Sequence, residues 1–382
     1  MPDMKGRVAL VSTYSHLSRA SMERMLREAF PEFELDNFSV NEVVKAHRAW
    51  LPGNLWYVLK EYGQELLSRQ IGARQALFRT TYTFSRLRAA MQQLIRPDRH
   101  LFSFQMQSLY NTSVPGVPHF VYTDHTHLSN LNYPDFSRVD LRSDEWIALE
   151  RTIYQSATVV FTRSSDVAAD LIRYYDISPD KIECVYAGSN VDVEKAGEPE
   201  NSGYSNKRII FVGVDWLRKG GAELQEAFAT VLESHPDAHL VIAGSDTPVA
   251  LPNCTVLGNV NATELSRYYN QSSIFCLPTK REPFGIAFVE AMMHRLPIVG
   301  TRVGAVPDMV QDGVNGFLVE PGSSATLAKA LCRLLDSPEM CRQFGQRSYE
   351  KAIERYTWEG TGQRIRNRIL KEIGLSELRR SA

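Results

Sequence analysis

The 382-residue chain is 43% apolar and 23% charged with a formal net charge of −1, the composition of an ordinary globular protein too long for a single core. Near-neutral charge removes any global reason to expect nucleic acid as a partner. Five scattered cysteines (Cys184, Cys254, Cys276, Cys332, Cys341), with no Cys-x-x-Cys pair, argue against a disulfide framework or a zinc site and for free thiols in a reducing compartment.

The chain has no basic start followed by a long apolar run, and no stretch reaches about 18 consecutive apolar residues. The expected location is cytoplasmic, with any membrane contact peripheral, at the inner face. Arg7 to Ser12 reads as a short buried strand and Arg19 to Phe30 has amphipathic helix spacing, the opening of a Rossmann-like unit. The loop between them, Ser12-Thr13-Tyr14-Ser15-His16-Leu17-Ser18, offers hydroxyls and no glycine.

Val43 to Arg99 carries helix-period apolar residues and, from Leu66 to Arg96, six arginines with no acid: Arg69, Arg74, Arg79, Arg86, Arg88 and Arg96. Two readings stay open: helices that cover the first sheet with a solvated basic face, or a peripheral membrane contact through the basic stretch 66–96. His119 to Thr123 is a buried strand that delivers Asp124-His125-Thr126-His127 at its carboxyl end, where ligands of open α/β sheets collect. His125 is the candidate there, with His127 second. No further His or Asp cluster completes a ligand set, so no metal site is expected.

Asp144 to Tyr154 reads as a helix, Ala157 to Ser164 as a strand, and Ser164-Ser165 as the cap of a helix over Val167 to Tyr175. Lys181 to Tyr186 closes the sheet of an N-terminal domain spanning residues 1–193. Glu194 to Asn206, rich in Gly, Pro, Glu, Asn and Ser, reads as the linker to a second domain over 207–357. That domain opens with the strand Lys207 to Gly213. Arg218 and Lys219 follow beside two glycines at a strand-to-helix turn, where cations and free N–H groups can bind a diphosphate. His239 to Ser245 and Asn253 to Val260 are further strand units, and Glu264 to Tyr269 is a helix.

After the strand Ser273 to Leu277, a loop holding Glu282, Pro283, Phe284 and Gly285 runs into a helix carrying Glu290. Amides around Phe284, Gly285 and Ile286 and the positive end of the helix dipole make an anion site. The carboxylates of Glu282 and Glu290 bracket it and suit hydroxyl donors. A phosphate flanked by hydroxyl-rich rings, as in a nucleotide sugar, would satisfy both. Ala325 to Leu335, Pro338 to Glu354 and a stretch after Trp358 read as helices.

Glu282-Pro-Phe-Gly-Ile-Ala-Phe-Val-Glu290-Ala-Met resembles the Glu-x7-Glu signature of retaining GT-B glycosyltransferases, the "group 1" family. Arg295 to Thr301, Gly304 to Val310 and Asp312 to Val319 continue the likeness, which covers roughly residues 207–357 and more loosely 118–193. The resemblance implies an α/β fold of two Rossmann-like doubly wound domains facing a cleft, with the tail 358–382 crossing back to the first domain. It further implies a metal-independent, retaining glycosyltransferase moving a hexose from a nucleoside diphosphate sugar to an acceptor hydroxyl, with no cofactor. By the same resemblance Lys219 and Arg218 would stabilise the diphosphate, Glu282 would hold the transferred sugar, Glu290 the ribose, and His125 the donor near the reacting centre. Leu257, Gly258 and Val260 would border the base, and Gly213 the diphosphate. Two positions depart from the family: the first loop lacks its Gly-Gly pair, and Val214 stands where an Arg is usual. The alternatives are a nucleotide-sugar epimerase or hydrolase of related architecture, or a catalytically silent nucleotide-sugar-binding protein. Acceptor, sugar and base are not legible.

Overall fold

The computed structural model describes residues 6–12, 16–69, 71–189 and 203–375. Residues 13–15 of the glycine-free loop, 190–193 at the end of the expected first domain, 194–202 of the expected linker and 376–382 of the tail lie outside the described residues.

Two six-stranded sheets carry the fold, and every strand pairing in both is parallel. The first contains β1 (Arg7–Ser12), β2 (Glu34–Ser39), β3 (His100–Met106), β4 (His119–Thr123), β5 (Val159–Thr162) and β6 (Ile182–Cys184), in the order β2-β1-β3-β4-β5-β6. The second contains β7 (Arg208–Val212), β8 (His239–Ala243), β9 (Cys254–Gly258), β10 (Ile274–Leu277), β11 (Ile298–Thr301) and β12 (Gly316–Val319), in the order β12-β11-β10-β7-β8-β9. Strands covered by helices on both faces must be apolar throughout. Ile209, Ile210 and Phe211 of β7 and all of β10 are accordingly fully buried. The doubly wound α/β class expected from the sequence is the one observed.

Four strands were not anticipated: β11 and β12, which lie in stretches noted only for their family likeness, and β2 and β3 of the first sheet. β2 is polar along its length (Glu-Leu-Asp-Asn-Phe-Ser), and its acids are held by neighbours. Arg7 pairs with Glu34 and Asp36, and the buried His100 imidazole lies 3.1 Å from Asp36 Oδ2. The Arg7 hydrogen bond, against opposing burial, lowers the Asp36 carboxyl to about 2. β3 follows the long helical stretch and sits centrally between β1 and β4, with Phe102 and Phe104 fully buried.

The last helix, Trp358–Glu372, crosses to the first sheet's helices. Arg366 donates to the Ala29 carbonyl at 2.7 Å and pairs with Glu32 at 2.7 Å, while Arg364 donates to the Val185 carbonyl at 2.9 Å. Gly188 permits the crossing, since a Cβ there would lie 2.3 Å from the Trp358 backbone nitrogen. Gly203–Ser205, at the end of the expected linker, packs onto the second sheet: Ser273 donates to the Gly203 carbonyl at 2.8 Å.

Candidate active site between the two sheets

The strand order reverses between β7 and β10, and at such a switch point ligands of open α/β sheets collect in the crevice beyond the carboxyl ends of the strands. The loops leaving these two strands touch through backbone. Lys280 N donates to the Arg218 carbonyl at 2.9 Å. Gly220 has φ +76°, and a Cβ on it would lie 1.9 Å from the Pro278 carbonyl oxygen, so no side chain fits. The Lys219 stem passes Gly213, where an added Cβ would stand 3.0 Å from Lys219 Cγ.

This approach joins the Lys219 ammonium to the Glu282 carboxylate in an ion pair whose side chains are only 14% and 6% exposed. Three residues on, Gly285 at φ +94° starts the helix Ile286–Met293. Phe284 is buried beside it and the Ile286 side chain is 44% exposed. In the helix's second turn, Glu290 keeps one long hydrogen bond, from the Tyr269 hydroxyl at 3.4 Å. Burial, only partly offset by that bond, raises its carboxyl to about 7. Gly213, Gly244 and Gly258 end the adjacent strands β7, β8 and β9. Gly213 N donates to the Ala243 carbonyl at 2.9 Å and Gly244 N to the Gly258 carbonyl at 2.7 Å. Leu257, Gly258 and Val260 therefore lie at the same end of the sheet, two strands from the Lys219 loop.

From the first sheet, β4 delivers His125. Its ring stacks on Tyr133 (centroids 6.0 Å apart, 20° between planes), and its Nδ1 is buried without a hydrogen-bond partner. Burial lowers its pKa against smaller opposing effects of Asn130 and Asp124, favouring the neutral imidazole. Tyr133 bridges to the second sheet. A Cβ on Gly304 (φ +50°) would lie 2.2 Å from the Glu282 carbonyl oxygen and 3.2 Å from the Tyr133 hydroxyl. His125, Tyr133 and the Glu282 loop thus form one wall.

Direct contacts hold the two sides together. Arg281 Nε donates to Asp135 at 2.7 Å, Asp308 accepts from Ser165 N at 2.7 Å, and the Arg163 guanidinium lies 6.0 Å from the Phe284 ring centroid and 3.6 Å from Asp124.

Not every candidate joins this cluster. Arg218 stays beside the Glu282 loop, held by Asp215 (3.2 Å) and by the Arg281 carbonyl (3.2 Å), whereas Val214 is 78% exposed. His127, the second candidate on β4, is a structural residue. Its Nε2 accepts from Arg142 N at 2.8 Å, its backbone N–H donates to the buried Glu150 at 2.9 Å, and its ring meets Trp146 edge-on. Tyr133, Asp135, Arg163 and Arg281, which line the crevice, were not singled out from the sequence: Arg163 and Arg281 follow strands closely, while Tyr133 and Asp135 lie past the 3-10 turn Leu128–Asn132 and carry no such signal.

Glycosyl transferases group 1 matches the chain over residues 192–351 and Glycosyltransferase Family 4 over residues 56–193. The D-inositol 3-phosphate glycosyltransferase of Corynebacterium diphtheriae is 27% identical over 245 residues, covering 56% of each chain. The MMP alpha-(1->4)-mannosyltransferase of Mycolicibacterium hassiacum is 28% identical over 225 residues, covering 56% of this chain and 54% of that one. The matched region thus spans little more than half the length of these relatives. Among solved structures, Anabaena HepE in complex with UDP superposes with a TM-score of 0.64 at 14% identity, covering 96% of this chain and 100% of its own. WaaG, a glycosyltransferase involved in lipopolysaccharide biosynthesis, gives 0.64 at 15% identity over 95% and 99%. These likenesses establish the GT-B fold, and residues 192–351, the second half of the chain, belong to the group 1 glycosyltransferases, with Glycosyltransferase Family 4 matching the half before them.

Proposed function

We propose that the protein is a retaining, metal-independent glycosyltransferase that moves a hexose from a nucleoside diphosphate sugar to an acceptor hydroxyl of a glycan, lipid or small molecule, forming an α-linkage. The observation that carries this reading is the buried Lys219–Glu282 pair, set beside the N-terminus of the helix Ile286–Met293 and joined to His125 through Tyr133. A diphosphate at that helix end meets the amides of Gly285 and Ile286 and draws the Lys219 ammonium from Glu282, releasing the carboxylate to accept hydroxyls of the sugar. Glu290 accepts from the ribose. The orphaned Nδ1 of His125 gains a hydroxyl donor from the transferred sugar. The acceptor hydroxyl attacks the anomeric carbon on the face from which the diphosphate leaves, and the departing phosphate oxygen takes its proton. Lys219 and the helix amides carry the charge that develops on the leaving group. The UDP bound to HepE supports a nucleotide-sugar donor.

A second reading, a nucleotide-sugar-binding protein without turnover, is favoured by one observation: the exposed Val214 offers no charge beside Gly213 and Arg218 is tied to Asp215, so that Lys219 is the cation the β7 loop brings to Glu282. The test is thermal-shift binding with UDP-, GDP-, ADP- and dTDP-linked sugars in EDTA, with donor hydrolysis followed in parallel. Stabilisation by one donor with slow hydrolysis is the expected result. Stabilisation without turnover moves the second reading forward, activity that needs a divalent ion refutes metal independence, and no stabilisation overturns both readings.

A further inference from the structure

The helix Leu51–Leu67 buries one face only. Asn54, Val58 and Tyr62 point inward, with Asn54 donating to the Leu77 carbonyl and Tyr62 to the Arg79 carbonyl, each at 2.8 Å. Leu55 (51% exposed), Trp56 (60%), Leu59 (69%) and Leu67 (87%) project outward from the rest of the helix, and Leu51 (46%) is half-exposed at its start. Leu55 and Leu59 stand one turn apart, and Trp56 and Leu67 lie on the adjoining stripe, so the four share one outward side of the helix, with Leu51 at its near end. A helix facing water alone carries charge on this side.

Cations rim the surface. Lys60 Nζ sits 5.3 Å from the Trp56 ring centroid. Arg86 lies over Tyr82, which packs against Tyr57 and stands where a Gly53 side chain would be. At the helix start, a hollow of about 420 Å³ has Lys45, His47 and Arg48 at its lip and Trp50, Leu51 and Phe78 on its walls. Of the arginines in 66–96, Arg74 and Arg79 line a separate hollow with Phe78 and Tyr110, and Arg96 is engaged by Asp98.

Charge selects the occupant. Residues 40–96 hold nine Lys and Arg against three acids, Glu42, Glu61 and Glu65. Glu61 is taken by the Thr81 amide (3.0 Å) and hydroxyl, and Glu65 faces Arg142 at 3.8 Å. A second copy docking here by two-fold symmetry brings cationic rim against cationic rim. An anionic bilayer offers the opposite charge and an apolar layer at one surface, and its interface suits Trp56 and the Lys60 stem. We propose that the Leu51–Leu67 face and its rim dock the protein on the surface of an anionic phospholipid bilayer, the helix lying in the plane of the interface. The proposal goes beyond the reading of the crevice and stands apart from it, so that donor binding and docking can fail separately.

The test is co-sedimentation of the full chain with phosphatidylcholine vesicles, with and without phosphatidylglycerol, at low and high salt. Pelleting is expected with the anionic vesicles only and is expected to weaken with salt. Leu55→Ser with Trp56→Ser and Leu59→Ser should abolish it while leaving nucleotide binding in place. Should that variant fail to fold, Lys45→Glu, Arg48→Glu and Arg86→Glu, which remove no buried apolar contact, should lower partitioning by about fivefold or more per position. Wild type that stays in the supernatant with anionic vesicles at low salt overturns the proposal, as does pelleting that neither variant changes. Dimerisation lost in the apolar variant, without vesicle binding, overturns it in favour of a second copy.

Discussion

Replacing Glu290 by glutamine separates what burial does to this carboxyl from what a ligand does to it. The ordinary value of 4.5 is raised to about 7 by burial, against one weak hydrogen bond from Tyr269, a gap worth about 3 kcal/mol. Because the folded value lies above the unfolded one, the stability contributed by the neutral carboxyl is complete below pH 4.5 and is lost as the pH rises through about 7. Glutamine never ionises. The variant should therefore be the more stable protein above neutrality, by up to about 3 kcal/mol, with the two stabilities converging in acid. Thermal denaturation as a function of pH reads this directly. The ligand acts in the opposite sense: ribose hydroxyls donate only to acceptors, so a bound nucleotide favours the carboxylate. Calorimetric titration with the nucleoside diphosphate, in two buffers of different ionisation enthalpy, should show proton release at about pH 6 that fades above neutrality, with affinity falling by up to about tenfold per pH unit below the folded value. Glu290→Gln should bind more weakly and without that proton. Superposed melting profiles of the two proteins refute the burial argument, and unchanged affinity without proton release in the wild type refutes the ribose assignment.

Lys219→Met should strand the Glu282 carboxylate, 6% exposed, and destabilise the fold by about 3–5 kcal/mol in urea unfolding. It should also lower kcat/KM by an amount equivalent to about 2–4 kcal/mol. Adding Glu282→Gln should restore stability but not rate, and a rate unaffected by Lys219→Met removes that residue from the mechanism. Gly220→Ala meets both a positive φ and the Pro278 carbonyl at 1.9 Å, whereas Gly322→Ala has a similar φ of +80° with nothing within 4 Å. The second should cost about 1 kcal/mol and the first distinctly more, with loss of donor affinity as the two loops are forced apart. Equal losses in Tm would show that backbone approach is not what Gly220 serves.

The readability of the chain follows the range of the interactions involved. β7, β8 and β10 are legible as unbroken apolar runs because strands covered on both faces need no polar side. Gly213 at the end of β7, Gly220 beside Lys219 and Gly285 three residues after Glu282 stand out, and the structure joins their loops around Lys219 and Glu282. β2 escapes the same test because its polarity is compensated from elsewhere, by Arg7 and by His100, 64 residues beyond its Asp36 partner. The exposed leucines of Leu51–Leu67 are equally hidden, since helical period marks an apolar face without saying whether anything covers it. Local chemistry therefore settles the succession of strands and helices, the glycine turns and the charges offered at the crevice. Which of those charges meet is decided by packing. Lys219 meets Glu282, Arg142 and Glu150 take His127, and Tyr133 carries His125 to the Glu282 loop, because each of these contacts joins residues of separate elements and forms only when those elements have packed.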